Sequence, residues 1–464
     1  MCGIVGVTGL PNAAIKAIEA VEALQHRGQE GSGVVSSDSN LKIHEKRGQG
    51  LVQGVFVDKN SLEGLVGDQA TAHVRYSTQG ASLLKNVQPL VSGFQGYLIA
   101  VSHNGNLVNA KKLRKELESK GAIFQTTTDT EVIPHLMAHS KCQKLEDKLV
   151  DALRTVDGAY SLIVMVVDKN TNERTLFAAR DPYGFRPLCM GEINGAKIFA
   201  SENCAFEMVN ARYIRELKPG ELVMVNSRGY FKDGIEIDFK KEPSKCVFEY
   251  IYLARPDSLI FGHSVDVAEV RKNFGRQLAL EQPVDADIVM GVLDSGIYAA
   301  LGYSAQSGIP YDQGLIRNHF VGRTFIDPTQ SVRESGVRRK LNPVKSVLGG
   351  KRVVLVDDSI IRGTTSLKLI NMIRDAGAKE VHFRISSPPT KGSCHYGIDT
   401  PDGADLIAYN LSVEEVRKNI NADTLGYLSI EGLRKCQPGG DGYCNACFTR
   451  DYPTLLYDKA DKLS

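Results

Sequence analysis

A chain of 464 residues exceeds one ordinary core, so about two to four domains are expected. Its 42% hydrophobic and 24% charged content are those of a soluble globular protein, and 56 basic against 54 acidic residues leave a formal charge of only +2. That balance gives no global field for nucleic acid or an anionic membrane, and no apolar run reaches the roughly 18 residues of a membrane span.

Nine cysteines are scattered along the chain, which fits a reducing cytosol better than a disulfide scaffold, and the N-terminus has no basic stretch of the secretory kind. The chain opens Met1-Cys2-Gly3-Ile4-Val5-Gly6. Loss of Met1 would give Cys2 a free α-amine, whose reference pKa of about 7.7–8.0 lets it act as a base near neutral pH. A thiol beside such an amine is a self-contained nucleophile and base.

Ile15, Ile18, Val21 and Leu24 then recur at helical spacing. Arg75, in His73-Val74-Arg75-Tyr76-Ser77-Thr78, offers a planar fork for an α-carboxylate. The apolar run 97–101 reads as a strand that ends in His103-Asn104-Gly105-Asn106. An asparagine amide and a glycine N–H at such a junction suit a developing oxyanion, although Asn-Gly by itself is a turn signal. Leu113 and Leu117 mark a second helix, ended by Gly121. Asp129, in Thr128-Asp129-Thr130-Glu131, suits an α-ammonium group and also the N-cap of the next helix, and one residue can serve both. Leu145, Leu149, Leu153 and Val156 suggest a third helix, and 160–167, 175–179 and 221–225 read as strands. Asp181-Pro182-Tyr183-Gly184-Phe185-Arg186-Pro187 is read as a structural turn with no chemistry assigned.

Taken together, Cys2-Gly3-Ile4-Val5-Gly6, His26-Arg27-Gly28-Gln29, the Arg75 segment, His103-Asn104-Gly105-Asn106 and Thr128-Asp129-Thr130-Glu131 resemble the glutaminase domain of the N-terminal-nucleophile amidotransferases. The resemblance covers about the first 235 residues and implies an αββα sandwich. It also implies a glutamyl thioester on Cys2 and an oxyanion hole from Asn104 and Gly105. Glutamine would be held by Arg75 and Asp129, with Arg27 and Gly28 at the same site.

The charged, proline-bearing segment 240–245 is the candidate junction, giving expected domains of 2–238 and 246–464. Beyond it, strand-like runs (288–293, 353–356, 381–385) alternate with helical patterns such as 366–378, as in a mostly parallel sheet covered by helices. Ligands sit beyond the carboxyl ends of such strands. There stands Val356-Asp357-Asp358-Ser359-Ile360-Ile361-Arg362-Gly363-Thr364-Thr365-Ser366. Two carboxylates suit ribose hydroxyls, and a glycine with three hydroxyl residues before a helix suits a phosphate. Asp294-Ser295-Gly296 ends another strand, where a tight turn can hold pyrophosphate. The stretch 317–345 carries Arg317, Arg323, Arg333, Arg338, Arg339, Lys340 and Lys345, as a loop closing over a pyrophosphate would.

This half resembles the type I phosphoribosyltransferases. Together the two halves resemble the glutamine phosphoribosylpyrophosphate amidotransferases that open de novo purine synthesis. The resemblance implies phosphoribosyl pyrophosphate bound by Asp357, Asp358, Gly363, Thr364, Thr365, Ser366, Asp294, Ser295, Gly296 and Lys340, with Mg2+ approached by Ser295, Asp357 and Asp358. It further implies inhibition by purine nucleotides, a homotetramer and a cytoplasmic enzyme with no nucleic-acid or membrane partner. A hexosamine-forming amidotransferase would lack the second motif. A ligand-sensing regulator on a phosphoribosyltransferase fold, the alternative, would need a DNA-binding module and no N-terminal cysteine.

Cys444-Asn445-Ala446-Cys447 places two thiolates near one centre, a spacing that zinc or redox chemistry suits equally. A [4Fe–4S] cluster needs four thiolates, with Cys246, Cys394 and Cys436 as candidates for the other two. Resemblance to the iron–sulfur-containing members implies Cys246, Cys394, Cys444 and Cys447, leaving Cys436 free.

Overall fold

The computed structural model describes residues 1–57, 62–76, 83–238, 241–318, 341–401 and 403–457. Two antiparallel sheets lie face to face in the first half. One has seven strands, β1 Gly3–Thr8, β2 Gly31–Ser37, β3 Ile43–Gln49, β4 Gln69–Arg75, β9 Cys189–Ile193, β10 Ala196–Ala200 and β11 Arg212–Glu216, in the order β11-β9-β10-β1-β4-β2-β3. The other has six, β5 Leu90–Phe94, β6 Tyr97–Leu107, β7 Gly158–Asp168, β8 Glu173–Arg180, β12 Glu221–Asn226 and β13 Phe231–Glu236, in the order β13-β12-β8-β7-β6-β5.

Between the sheets, Ile4, Val35, Ile163, Leu176, Phe199 and Val223 make one apolar layer. The outer face of the first sheet is covered by the helix Ala13–Glu22. That of the second is covered by the helices Ala110–Ser119, Val132–His139 and Leu145–Thr155. This is the expected αββα sandwich. Cover on both faces explains why β7 reads as a continuous apolar run instead of alternating: every one of its residues is buried. The first helix is shorter than its apolar spacing suggested: it stops at Glu22, Leu24 caps the turn that follows, and its inward face is mostly alanine.

In the second half β15 Ile288–Gly291, β18 Arg352–Asp357, β19 Glu380–Ile385 and β20 Thr424–Tyr427 form a parallel sheet in the order β15-β18-β19-β20, and the short strands β14 Lys245–Cys246, β16 Leu315–Arg317, β17 Leu341–Pro343 and β21 Tyr443–Cys444 lie outside it. The helices Val267–Glu281 and Ile297–Ser307 cover one face, and Thr364–Asp375 covers the other. The carboxyl ends of β15 and β18 lie side by side, so the two phosphate-type loops expected from the sequence start at adjacent points. A short strand at Lys245–Cys246 pairs in parallel with Tyr443–Cys444, tying the candidate junction to the chain's last part. Among the described residues no helix is long and apolar enough to cross a membrane.

Candidate active site

Cys2 precedes β1, a central strand whose register sets Gly3 opposite Val74 and so brings Cys2 beside Arg75 at the end of β4. The approach is close: a Cβ at Gly3 would lie 2.8 Å from the Leu24 side chain. Cys2 is buried, its N–H donates to Asn104 Oδ1 at 3.3 Å, and its thiol lies 3.6 Å from the Tyr76 carbonyl. Asn104 is fully buried in β6, and its Nδ2 has no partner among the described residues. A buried amide donor without a protein partner is available to an oxygen of a bound molecule. A side chain at Gly105 would run into the Ala159 carbonyl, 2.0 Å from an ideal Cβ.

Arg75 is buried at the end of β4, and Gly28 lies on its main chain, a Cβ there falling 2.5 Å from the Arg75 carbonyl carbon. Asp129 Oδ2 accepts from the Leu107 N–H at 2.8 Å. It does not cap the helix that follows, which starts at Val132 with no side-chain cap, so the N-cap role fails. The carboxylate reaches across to β6 instead.

Arg27 has a fully covered side chain whose Nε–H donates to the Cys2 carbonyl at 3.0 Å. Its other N–H groups meet Glu202 and both oxygens of Glu249. Its guanidinium is thus occupied within the protein, where it holds the main chain of Cys2. Burial works against the charge of Glu202, but His26 and Arg27 outweigh it and hold this carboxyl far below the usual range. Burial pushes the Met1 amine down to about 5 and His73 down to about 3.

In the second half, Asp357 Oδ1 accepts from Ser295 Oγ–H at 3.3 Å and from the Asp358 N–H at 2.9 Å. Gly296 permits that meeting, since a Cβ there would lie 2.2 Å from the Val356 carbonyl. Burial, then the neighbouring Asp358, push the Asp357 carboxyl well above its ordinary value. Gly363 turns the chain in the left-handed region (φ +75°) into the helix Thr364–Asp375, whose first turn holds exposed Thr364 and Thr365 and buried Ser366. Asp294 pairs with Arg317. Lys340, Arg323, Arg333, Arg338 and Arg339 lie outside the described residues. A cavity of about 370 Å3 spans the two halves, lined by Met1, Arg27 and Tyr76 on one side and by Asp358 and Ser359 on the other.

All nine cysteines are free. Cys246 and Cys444 are register partners on paired strands, and Cys447 lies in the short helix Ala446–Thr449 that follows. Cys394 Sγ accepts the Tyr396 N–H at 3.3 Å. Burial and the thiols around it push Cys447 upward, with Cys444, Cys246 and Cys394 all contributing. Buried Arg186 lies within electrostatic reach of Cys246 and Cys394. Among the described residues no three His, Cys, Asp or Glu side chains are arranged to hold a single metal ion. Cys436 stands apart, its thiol 3.5 Å from the Asn273 carbonyl.

Sequence reasoning missed three buried charges: Arg186, Glu202 and Glu249. None lies in a pattern that signals its role, because their charged partners are between 63 and 222 residues away.

A family profile described as a glutamine amidotransferase domain matches residues 73–208. Amidophosphoribosyltransferase 1 of Arabidopsis thaliana, a chloroplastic protein, is 51% identical over 458 residues, covering 97% of this chain and 78% of the relative. The amidophosphoribosyltransferase of Bacillus subtilis is 47% identical over 462 residues, covering 98% of this chain and 94% of the relative. Among solved structures, the glutamine phosphoribosylpyrophosphate amidotransferase of B. subtilis complexed with ADP and GMP superposes with a TM-score of 0.90 at 46% identity, covering 98% of each chain. A structure described as the allosteric regulatory enzyme of purine biosynthesis gives 0.91 at 46% identity, covering 98% of this chain and 97% of the other. With that identity maintained over nearly its whole length, the chain belongs to the amidophosphoribosyltransferase family.

Proposed function

We propose that this chain takes ammonia from glutamine and delivers it to the anomeric carbon of phosphoribosyl pyrophosphate. The products are glutamate, pyrophosphate and 5-phosphoribosylamine, at the first step of de novo purine synthesis. The observation that carries the reading is the cavity with the Cys2 environment on one wall and Asp358 on the other. Residues 2–238 make the glutaminase domain and 246–464 the phosphoribosyltransferase domain.

Once Met1 is removed, the Cys2 nitrogen that now faces Asn104 Oδ1 becomes an α-amine able to take the thiol proton. The sulfur attacks the glutamine amide carbon, and the oxyanion is met by the unpartnered Asn104 Nδ2 and the Gly105 N–H. The amine returns the proton to departing ammonia, and water hydrolyses the thioester to glutamate. Arg75 and Asp129 hold the two ends of the amino acid, while Arg27 and Gly28 brace them from behind.

In the second domain, Asp357 and Asp358 orient ribose hydroxyls, and the turns Asp294-Ser295-Gly296 and Gly363-Thr364-Thr365-Ser366, with Lys340, take the phosphates. Ser295, Asp357 and Asp358 are the residues to hold Mg2+, which would neutralise the leaving pyrophosphate. Cys246, Cys394, Cys444 and Cys447 would hold a [4Fe–4S] cluster as a structural staple. Purine nucleotide inhibition is supported by the ADP and GMP bound to the B. subtilis relative. We read the assembly as a homotetramer on the family resemblance, and the compartment as a reducing cytoplasm, a reading supported by nine free thiols.

The test is direct. With glutamine, Mg2+ and phosphoribosyl pyrophosphate, the purified protein should release equal amounts of glutamate and pyrophosphate. Intact mass should show Met1 absent. Cys2→Ala should stop glutamine use and leave synthesis from added ammonia. Continued glutamine turnover by Cys2→Ala would reject the nucleophile, and absence of pyrophosphate with either nitrogen source would reject the acceptor.

A further inference from the structure

Glu249 is a fully covered carboxylate that opens the π-helical turn Glu249–Leu253, in the second domain. Both of its partners are guanidinium groups of the first domain. Arg27 Nη2–H donates to it at 2.8 Å and Nη1–H at 3.1 Å, and Arg186 Nη1–H donates at 3.1 Å. Arg27 in turn holds the Cys2 carbonyl through Nε–H. One charged side chain therefore lies between the second domain and the main chain of Cys2.

The turn carrying Glu249 is itself fixed. Arg271, buried on the helix Val267–Glu281, donates to the carbonyls of Tyr250 and Ala254 at 2.7 and 2.8 Å. The Tyr250 hydroxyl donates to the Ile260 carbonyl at 3.2 Å. Tyr252 and Leu253 of the same turn line the cavity that reaches Asp358. Burying four charged groups (Arg27, Arg186, Glu202, Glu249) is costly unless each is paired, and mere adhesion between domains is served as well by apolar contact. The pairing here also fixes one direction, that of Arg27 Nε toward Cys2.

We propose that Glu249 is a positioning residue for the glutamine reaction, supplied by the second domain: it orients Arg27, and Arg27 sets the main chain from which the Cys2 thiol and α-amine project. This rests on the reading of Cys2 as nucleophile. Glu249 does not face glutamine, so its loss should lower kcat and leave the KM for glutamine nearly unmoved. A displaced nucleophile loses on the order of tenfold to a hundredfold in rate.

The readout is the ratio of glutamine-dependent to ammonia-dependent product formation in one preparation of full-length protein. Partial unfolding lowers both rates together and cancels in the ratio. In Glu249→Gln the ratio should fall roughly tenfold or more, with the KM for glutamine within about twofold; Glu249→Asp, which keeps the charge, should fall between it and wild type. An unchanged ratio in Glu249→Gln overturns the proposal, as does a raised KM with unchanged kcat. Should a variant lack ammonia-dependent activity, the rate of Cys2 labelling by an electrophilic glutamine analogue, followed by mass spectrometry, replaces the ratio; wild-type labelling then overturns it. Cys2→Ala is measured alongside. If it still consumes glutamine, the nucleophile reading fails and takes the proposal with it; if it is silent while Glu249→Gln is unmoved, only the positioning role fails.

Discussion

Gly397 packs onto the backbone of Gly105, so closely that a Cβ at position 397 would lie 2.9 Å from the Gly105 carbonyl carbon. Gly397 also sits at φ +102°, where an L side chain is strained. Nearby, Asn106 Nδ2–H donates to the His395 carbonyl at 2.9 Å. A C-terminal segment therefore forms the backing of the strand proposed to hold the oxyanion.

Gly397→Ala should accordingly act at a distance from its own domain's chemistry. Strain and contact together should cost about 1–3 kcal/mol of stability. Any shift of Gly105 should lower glutamine-dependent turnover by roughly tenfold or more, since oxyanion donors act only when aligned. Ammonia-dependent synthesis should survive. Equal loss with both nitrogen sources would mean the second domain is what suffers.

Asp357→Asn and Asp358→Asn test the acceptor site. Ser295 Oγ reaches Asp357, so the two loops share a carboxylate at the end of β18. Neutralising either should remove pyrophosphate release by about a hundredfold or more with both nitrogen sources, as expected when charge needed in the transition state is lost. Basal glutamine hydrolysis should persist, because Cys2 lies in another domain. Normal ammonia-dependent rates would place the chemistry elsewhere.

The sequence was most legible where function and local structure coincide. Cys2, Arg75 and Asn104 are far apart in the chain: Cys2 leads into β1, Arg75 closes β4 beside it, and Asn104, expected at a strand-to-turn junction, lies inside β6 of the facing sheet, so the packing of the two sheets brings them together. The second domain was legible for the same reason: Asp357 ends a four-residue apolar run, and Gly363 marks the turn before its helix. Arg186 was not legible. It stands in a segment read only as a turn, but its guanidinium donates to Glu249 and, through Nε and Nη2, to the Tyr396 carbonyl. An ion pair between distant segments leaves no periodicity, and a buried arginine looks like a surface one in sequence. Asp129 misled in part, because a carboxylate before a helix suggests a cap whether or not it makes one.

His73 gives a pH prediction. It is fully buried, its Nε2–H donates to the His103 carbonyl at 3.3 Å, and burial lowers its pKa to about 3. The folded state keeps this ring neutral while the unfolded chain protonates it near pH 6.5. The unfolded state therefore binds more protons below that pH. Stability should be fully present above about 6.5 and decline as pH falls toward about 3, by up to a few kcal/mol from this group. Denaturant melts of the first domain between pH 7 and 4 should show the slope, and His73→Gln, which cannot titrate, should flatten it. An unchanged slope in that variant would assign the acid sensitivity to other groups.

The cysteine arrangement gives the last prediction. Cys246 and Cys444 face each other across a two-residue parallel pairing, the only hydrogen-bonded strand contact described between the junction and the tail. So short a ladder is marginal alone; the Lys391 and Gly392 N–H groups add two bonds to the Cys447 carbonyl, and Tyr452 and Thr454 bond the 393–396 segment. A covalent staple at Cys246, Cys394, Cys444 and Cys447 would secure the tail against both the junction and the segment that backs Gly105. Protein purified without oxygen should then be brown and hold about four irons per chain. Cys444→Ser should lose the iron, and proteolysis should begin in the tail, after the junction strand has lost its partner. Removing iron from the wild type with a chelator should reproduce that cleavage pattern. Cleavage elsewhere, or colourless protein with wild-type resistance, would reject the staple while leaving Cys2 and Asp357 in place.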